Sequence, residues 1–210
     1  MIRTRVKICG ITRVGDGIVA AEAGADALGF VFFEKSPRYV SIDKAAEICR
    51  AIPPFVTKVG LFVDASKEEV RRVSDNVHID LLQFHGDESP EFCRSFNLPY
   101  IKAIRAKNRE SILEAIDAHS DAVGVLIDSY VPGIPGGTGN TFDWSLVPIE
   151  YRSKIILAGG LNSENVADAI TDIRPYAVDI SGGVESAKGI KDSEKIDKFM
   201  KEVASADKIY

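Results

Sequence analysis

Short apolar runs recur along the chain, and each is followed by a stretch whose apolar positions return at helical spacing. The first run, 4–8, is rich in β-branched residues and stops at Gly10. After it, Val14, Ile18, Ala21 and Ala25 give 13–23 one apolar helical face, and Gly24 suits the exit. The run 27–32 is almost continuously apolar, as in a strand covered on both faces. A second helix carries Ala46, Ile48 and a packing Cys49, with Asp43 as its expected cap and Pro53-Pro54 as its stop. The alternation goes on through strands at 58–63, 81–84, 100–104, 122–127, 154–158 and 176–180. Between them, Ser66 and Glu69 form a capping box, Ser89-Pro90 opens a helix that includes Cys93, and 108–118 is helical. A Gly/Pro-rich loop, 129–140, precedes a short helical piece near Trp144. Ser163 starts a helix through Ile170, 192–203 forms the last helix, and 204–210 reads as a loose tail.

Eight strand–helix units in 210 residues leave about 26 residues each, near the minimum for a strand plus a crossover helix. No linker or low-complexity segment divides 1–210, so the expectation is a single α/β domain. A doubly wound open sheet is the rival. Its dinucleotide turn is lacking, because Gly10-Ile11-Thr12-Arg13-Val14-Gly15 matches the G-x-G-x-x-G spacing only at its ends. Eight units favour a closed (β/α)8 barrel of eight parallel strands.

In such a barrel the residues just after each strand share one rim, where ligands bind. They are Cys9, Arg38, Asp64, His85, Arg105 and Asp128, then Gly159-Gly160 and Ser181-Gly182-Gly183. The two small turns after strands seven and eight let backbone N–H groups approach an anion, and a short helix after strand eight would add its positive end. Together they read as a phosphate site, although one Gly-Gly turn alone would say little. Cys9 and Asp128 can serve as a base–acid pair that moves a proton on and off carbon. A cysteine taken alone is more often a small buried hydrophobe, and an aspartate at a strand end is as readily a turn residue. Lys7 shares a side with Cys9 and either lowers its pKa or fills the barrel interior. Arg38 fits a carboxylate bidentately, but an isolated arginine is more often solvated surface. His85 is equally a structural or a functional histidine, whereas His78 and His119 read as surface. Asp179, inside the eighth strand, needs partners and reads as part of a polar network at the rim.

Composition narrows the partners. A net charge of −5 and a pI near 5.3 advertise no basic face for nucleic acid or anionic lipid. No apolar run approaches the roughly 18–20 residues that span a bilayer, and the first residues lack a secretory apolar segment. Cys9, Cys49 and Cys93 are too widely spaced for a zinc site or a disulfide framework, so a reducing cytoplasm is expected. Nothing in the sequence fixes an oligomeric state, so monomer and homodimer both stand. The rim opposite the active one shows no obvious apolar patch.

Several motifs carry a resemblance. Lys7-Ile8-Cys9-Gly10-Ile11-Thr12, Phe33-Glu34-Lys35-Ser36-Pro37-Arg38-Tyr39-Val40, Gln83-Phe84-His85-Gly86 and Leu126-Ile127-Asp128-Ser129 resemble the motifs of phosphoribosylanthranilate isomerases, enzymes of tryptophan biosynthesis. So do Gly136-Gly137-Thr138-Gly139-Asn140-Thr141-Phe142-Asp143-Trp144, Leu157-Ala158-Gly159-Gly160-Leu161 and the run from Val178 to Glu185. The likeness covers about 6–198. It implies a (β/α)8 barrel and an Amadori rearrangement of a phosphosugar substrate, with Cys9 as general base and Asp128 as general acid. Arg38 would hold the anthranilate carboxylate. Gly159, Gly160, Ser181, Gly182 and Gly183 would hold the phosphate. Lys7, His85 and Asp179 would face the substrate site, with no role assigned to His85. Because an iminium is the electron sink, neither a metal nor an organic cofactor is implied. Indoleglycerol-phosphate synthase is the enzyme alternative. It would call for a rim lysine and glutamates, whereas Lys102 sits inside the fifth strand. A non-catalytic phosphosugar-binding protein is the other alternative.

Overall fold

The computed structural model describes residues 3–129 and 143–208. Eight strands close a parallel barrel in sequence order: β1 (Arg5–Cys9), β2 (Ala27–Val31), β3 (Thr57–Phe62), β4 (Leu81–Phe84), β5 (Tyr100–Ala106), β6 (Gly124–Ser129), β7 (Ile155–Leu157) and β8 (Ala177–Ile180). β8 pairs with β1, setting Lys7 opposite Asp179 and Ile8 opposite Ile180. The crossovers carry α1 (Val14–Glu22), α2 (Ile42–Ala51), α3 (Lys67–Asn76), the single turn α4 (Pro90–Cys93), α5 (Arg109–Ala118) and α6 (Val166–Ile173). Two 3-10 turns, Trp144–Leu146 and Ile149–Lys154, lead into β7. The glycine-rich stretch 130–142 lies outside the described residues.

Strand alternation divides the core into layers. One face of the strands packs against the helices, through Ile8, Leu28, Phe84, Ile127 and Val178 among others. The other face fills the barrel: Ile101, Ala103, Leu126, Ile156, Ala158 and Ala177 form one cluster. Cys9, Val31 and Leu61 form a second, against Phe33 and Val63. Ser66 and Glu69 make the expected capping box, and Ser89 caps α4 with Pro90 in its first turn.

Four details differ from the sequence reading. Ser41, not Asp43, caps α2: its side chain accepts from the Lys44 N–H, leaving Asp43 in the first turn where a negative charge suits the helix dipole. α6 begins at Val166 because the side chains of Asn162 and Asn165 accept local backbone N–H bonds that hold 162–165 in a turn. The expected loose tail is helical through Asp207, since α7 (Ser193–Asp207) buries Val203 and Ala206. The Asp207 carboxylate also accepts from the Thr4 N–H and hydroxyl at 2.9 and 2.7 Å. His119 is buried, its ring edge-on to Tyr100. At the rim opposite the active one Phe55, Val123 and Tyr176, just before β3, β6 and β8, are exposed. Among the described residues no helix is long and apolar enough to cross a membrane.

Candidate active site

At the carboxyl ends of the strands a cavity of about 450 Å³ opens, a size that suits a small ligand. Its wall includes Cys9, Arg38, His85 and Asp128, together with Gly159-Gly160 and Ser181-Gly182-Gly183. Asp179 and Gln83 line it as well. Asp64 and Arg105, also read at the rim, are not among its lining residues; the Asp64 carboxylate instead accepts the Asp87 N–H at 2.7 Å.

Cys9 ends β1 and is buried. Room for it comes from Gly29 on β2, where a Cβ would stand 2.8 Å from the Cys9 sulfur and 3.2 Å from Lys7 Cε. Lys7 Nζ lies 2.8 Å from Asp179 Oδ1, with both side chains almost wholly buried. Burial pushes the Cys9 thiol above its ordinary pKa and Asp179 adds to the rise, while the Lys7 and Lys191 ammonium groups oppose it. Burial disfavours the Lys7 charge, but Asp179 and Cys9 outweigh that and hold its pKa above the ordinary value. Burial drives the Asp179 carboxyl upward against the pull of Lys7.

Asp128, at the end of β6, is buried, and its Oδ2 stands 3.4 Å from His85 Nε2. His85 Nδ1 is 3.3 Å from the Gln83 amide nitrogen. In an Nε2–H tautomer Nδ1 accepts from the Gln83 amide, while Nε2, close to Asp128, makes no hydrogen bond in this geometry. Gly159 and Gly160 have φ of 82° and 65°, a left-handed geometry that side chains resist. At Gly183 an added Cβ would collide with the Leu161 carbonyl. The short helix expected after β8 is a single 3-10 turn, Gly182–Val184, too short to add an appreciable helix dipole.

The sequence reading missed the β9–β10 hairpin, Glu185–Ala187 and Ile190–Lys191, which follows this turn. Glu185 accepts from Arg38 Nε and Nη2, each at 2.8 Å, so the Arg38 guanidinium arrives already paired. An acidic and a basic residue bracketing a Gly189 turn were the available signal. Lys102 does not reach the cavity: it lies on the helix-facing side of β5, bonded to Glu88 at 2.7 Å and to the Gly86 carbonyl. Among the described residues no group of His, Cys, Asp and Glu side chains is arranged to hold a metal ion.

A closed eight-stranded barrel whose ionisable and glycine-rich groups gather at the carboxyl ends of its strands is a (β/α)8-barrel enzyme. A family model described as N-(5'phosphoribosyl)anthranilate (PRA) isomerase matches residues 6–202, and the chain belongs to that family. It is 58% identical over 203 residues to the N-(5'-phosphoribosyl)anthranilate isomerase of Pseudomonas fluorescens (strain Pf0-1), an alignment covering 97% of this chain and all of the relative. The phosphoribosyl anthranilate isomerase of Thermotoga maritima superposes with a TM-score of 0.88 at 41% identity, covering 96% of this chain and 99% of the other. A phosphoribosyl anthranilate isomerase in complex with reduced 1-(o-carboxyphenylamino)-1-deoxyribulose 5-phosphate superposes with a TM-score of 0.85 at 40% identity, covering 96% and 99%.

Proposed function

We propose that the chain converts N-(5-phosphoribosyl)anthranilate to 1-(2-carboxyphenylamino)-1-deoxyribulose 5-phosphate, with Cys9 as general base and Asp128 as general acid. Asp128, in its acid form, gives a proton to the furanose ring oxygen. The C1–O bond breaks, and the anilino nitrogen supplies electrons to form an iminium. Cys9, as thiolate, then takes the proton from C2. The electrons of that C–H bond make the enolamine and neutralise the iminium, and tautomerisation places the carbonyl at C2 and the new hydrogen at C1. Burial makes the thiol a reluctant acid. The iminium adds a positive charge beside Lys7 just when a thiolate is needed.

Arg38 binds the anthranilate carboxylate and the glycine turns bind the phosphate, which fixes the sugar between the two proton-transfer groups. Lys7 and Asp179 hold the thiolate's surroundings, and the His85 Nε2–H steadies the Asp128 carboxylate left after its proton departs. The iminium is the electron sink, so the reaction calls on no metal or organic cofactor. The protein acts as a monomer or homodimer in the cytoplasm, where its three free cysteines stay reduced. The observation that carries this reading is a single cavity lined by Cys9, Asp128, Arg38 and both glycine turns.

The test is turnover by the purified chain with a metal chelator present, followed as loss of the fluorescence of the anthranilate adduct. Turnover supports the reading, whereas an inert, folded protein that still binds phosphosugars favours the non-catalytic alternative.

A further inference from the structure

Behind the cavity wall lies a buried ion cluster that the proposed reaction does not use. The β9–β10 hairpin supplies Glu185 and Lys191, whose side chains are 5% and 1% exposed. Lys191 Nζ lies 2.9 Å from Glu185 Oε1 and donates to the carbonyls of Cys9 at 2.6 Å and Ser181 at 3.1 Å. Three donors meet three acceptors, so the ammonium is fully used. Lys195 Nζ donates to the Glu185 carbonyl at 2.7 Å, and the Lys191 N–H to Asp16 at 3.0 Å. The Thr12 hydroxyl donates to the Gly189 carbonyl at the hairpin turn. One lysine thus joins the strand end that carries Cys9, the glycine turn after β8 and the partner of Arg38.

The pairing with Glu185 is specific about which part of Arg38 stays open. A guanidinium has five N–H donors on two usable edges. Glu185 takes the Nε–H and one Nη2–H. The two N–H bonds of Nη1 and the second of Nη2 remain, and one from each of these nitrogens forms the edge that receives a carboxylate bidentately. Gly182 leaves space at that end, since a Cβ there would stand 3.2 Å from Nη2.

We infer that Glu185, anchored by Lys191, is a positioning residue that turns the free edge of Arg38 toward the substrate carboxylate. This rests on the reading of Arg38 as the carboxylate clamp. Without the Glu185 charge, Arg38 and Lys191 would be two cations with no anion between them. Lys191 is held by two carbonyls, so Arg38, on a loop, is the group that moves. Burial alone would push the Glu185 carboxyl up, but Arg38 and Lys191 bring its pKa below the ordinary value, and the carboxylate persists at neutral pH.

The experiment is calorimetric titration of wild type, Glu185→Gln, Arg38→Ala and the double variant. The probes are reduced 1-(o-carboxyphenylamino)-1-deoxyribulose 5-phosphate and the same molecule without its carboxyl group. Glu185→Gln should weaken the carboxylated probe by roughly fivefold or more, while the other probe shifts by less than about twofold. In the Arg38→Ala background Glu185→Gln should add nothing further. Glu185→Asp keeps the charge and should give a smaller, still carboxylate-selective loss; it carries the test alone if Glu185→Gln does not fold. Equal losses for the two probes, or additive losses in the double variant, mean a merely structural role and overturn the inference. If Arg38→Ala discriminates between the probes and the Glu185 variants do not, the inference fails and the clamp stands. If Arg38→Ala binds both probes like wild type, the clamp fails and takes the inference with it.

Discussion

Lys7 and Asp179 stand opposite each other on β1 and β8, with Nζ and Oδ1 2.8 Å apart and almost no solvent around them. Two residues on from Lys7, on the same side of the strand, is Cys9. The pair therefore places a buried positive charge beside the proposed base and balances it with a carboxylate from the neighbouring strand. Removing Lys7 would leave Asp179 buried without a counter-charge, and loss of one member of such a pair costs about 3–5 kcal/mol. Lys7→Met should lower unfolding stability in chemical denaturation by about that amount. It should also raise the pH at which kcat/KM climbs, because the thiolate loses a cation that favours it. An unchanged pH profile in a folded Lys7→Met protein would detach Lys7 from the base.

Asp128→Asn keeps the shape of the acid and removes its proton. A positioned proton donor contributes roughly 10²–10⁴-fold, so kcat should fall by that range while KM changes little. Steady-state kinetics decide it. A rise in KM with kcat intact would make Asp128 a binding residue.

Gly183→Ala probes the anion cradle. The added methyl would meet the Leu161 carbonyl, a backbone atom that cannot swing aside, so the turn after β8 must shift. KM should rise by about tenfold or more, the cost of losing one or two charge-assisted hydrogen bonds to phosphate. Inorganic phosphate should also become a weaker competitive inhibitor. Equal phosphate inhibition in wild type and variant would move the phosphate elsewhere.

His119 gives a pH dependence unrelated to catalysis. Burial holds its pKa below the ordinary 6.5, with Lys102 acting in the same direction. The folded protein therefore prefers the neutral ring, and the unfolded chain takes up the proton first as pH falls. The stabilisation is present above 6.5 and is lost as pH drops toward the folded value. Melting temperature should decline as pH falls below about 6.5, and less so in His119→Phe, which keeps a ring against Tyr100 and cannot titrate. Parallel declines in the two proteins would contradict this.

The barrel was legible because its strands are covered on both faces and read as apolar runs, and because Ser66, Glu69, Ser89 and Pro90 announce helix starts. That Cys9, Arg38, His85, Asp128 and the glycine turns share one cavity followed from their places after the strands. The Arg38–Glu185 pair was hidden because its members are 147 residues apart and meet only through a hairpin that no periodicity announces. His119 looked superficial because a polar ring at a helix end gives no sign of the barrel wall beside it. The tail looked loose because its tie to Thr4 joins the two ends of the chain.

In the proposed reaction the Cys9 sulfur moves the C2 proton. The direct measurement is the single-turnover rate of Cys9→Ala, with the affinity for the reduced product analogue determined on the same preparation. A rate lowered by roughly 10²–10⁴-fold, with the dissociation constant within about threefold of wild type, is the predicted result. A rate close to wild type, from a protein that binds the analogue equally well, would contradict it.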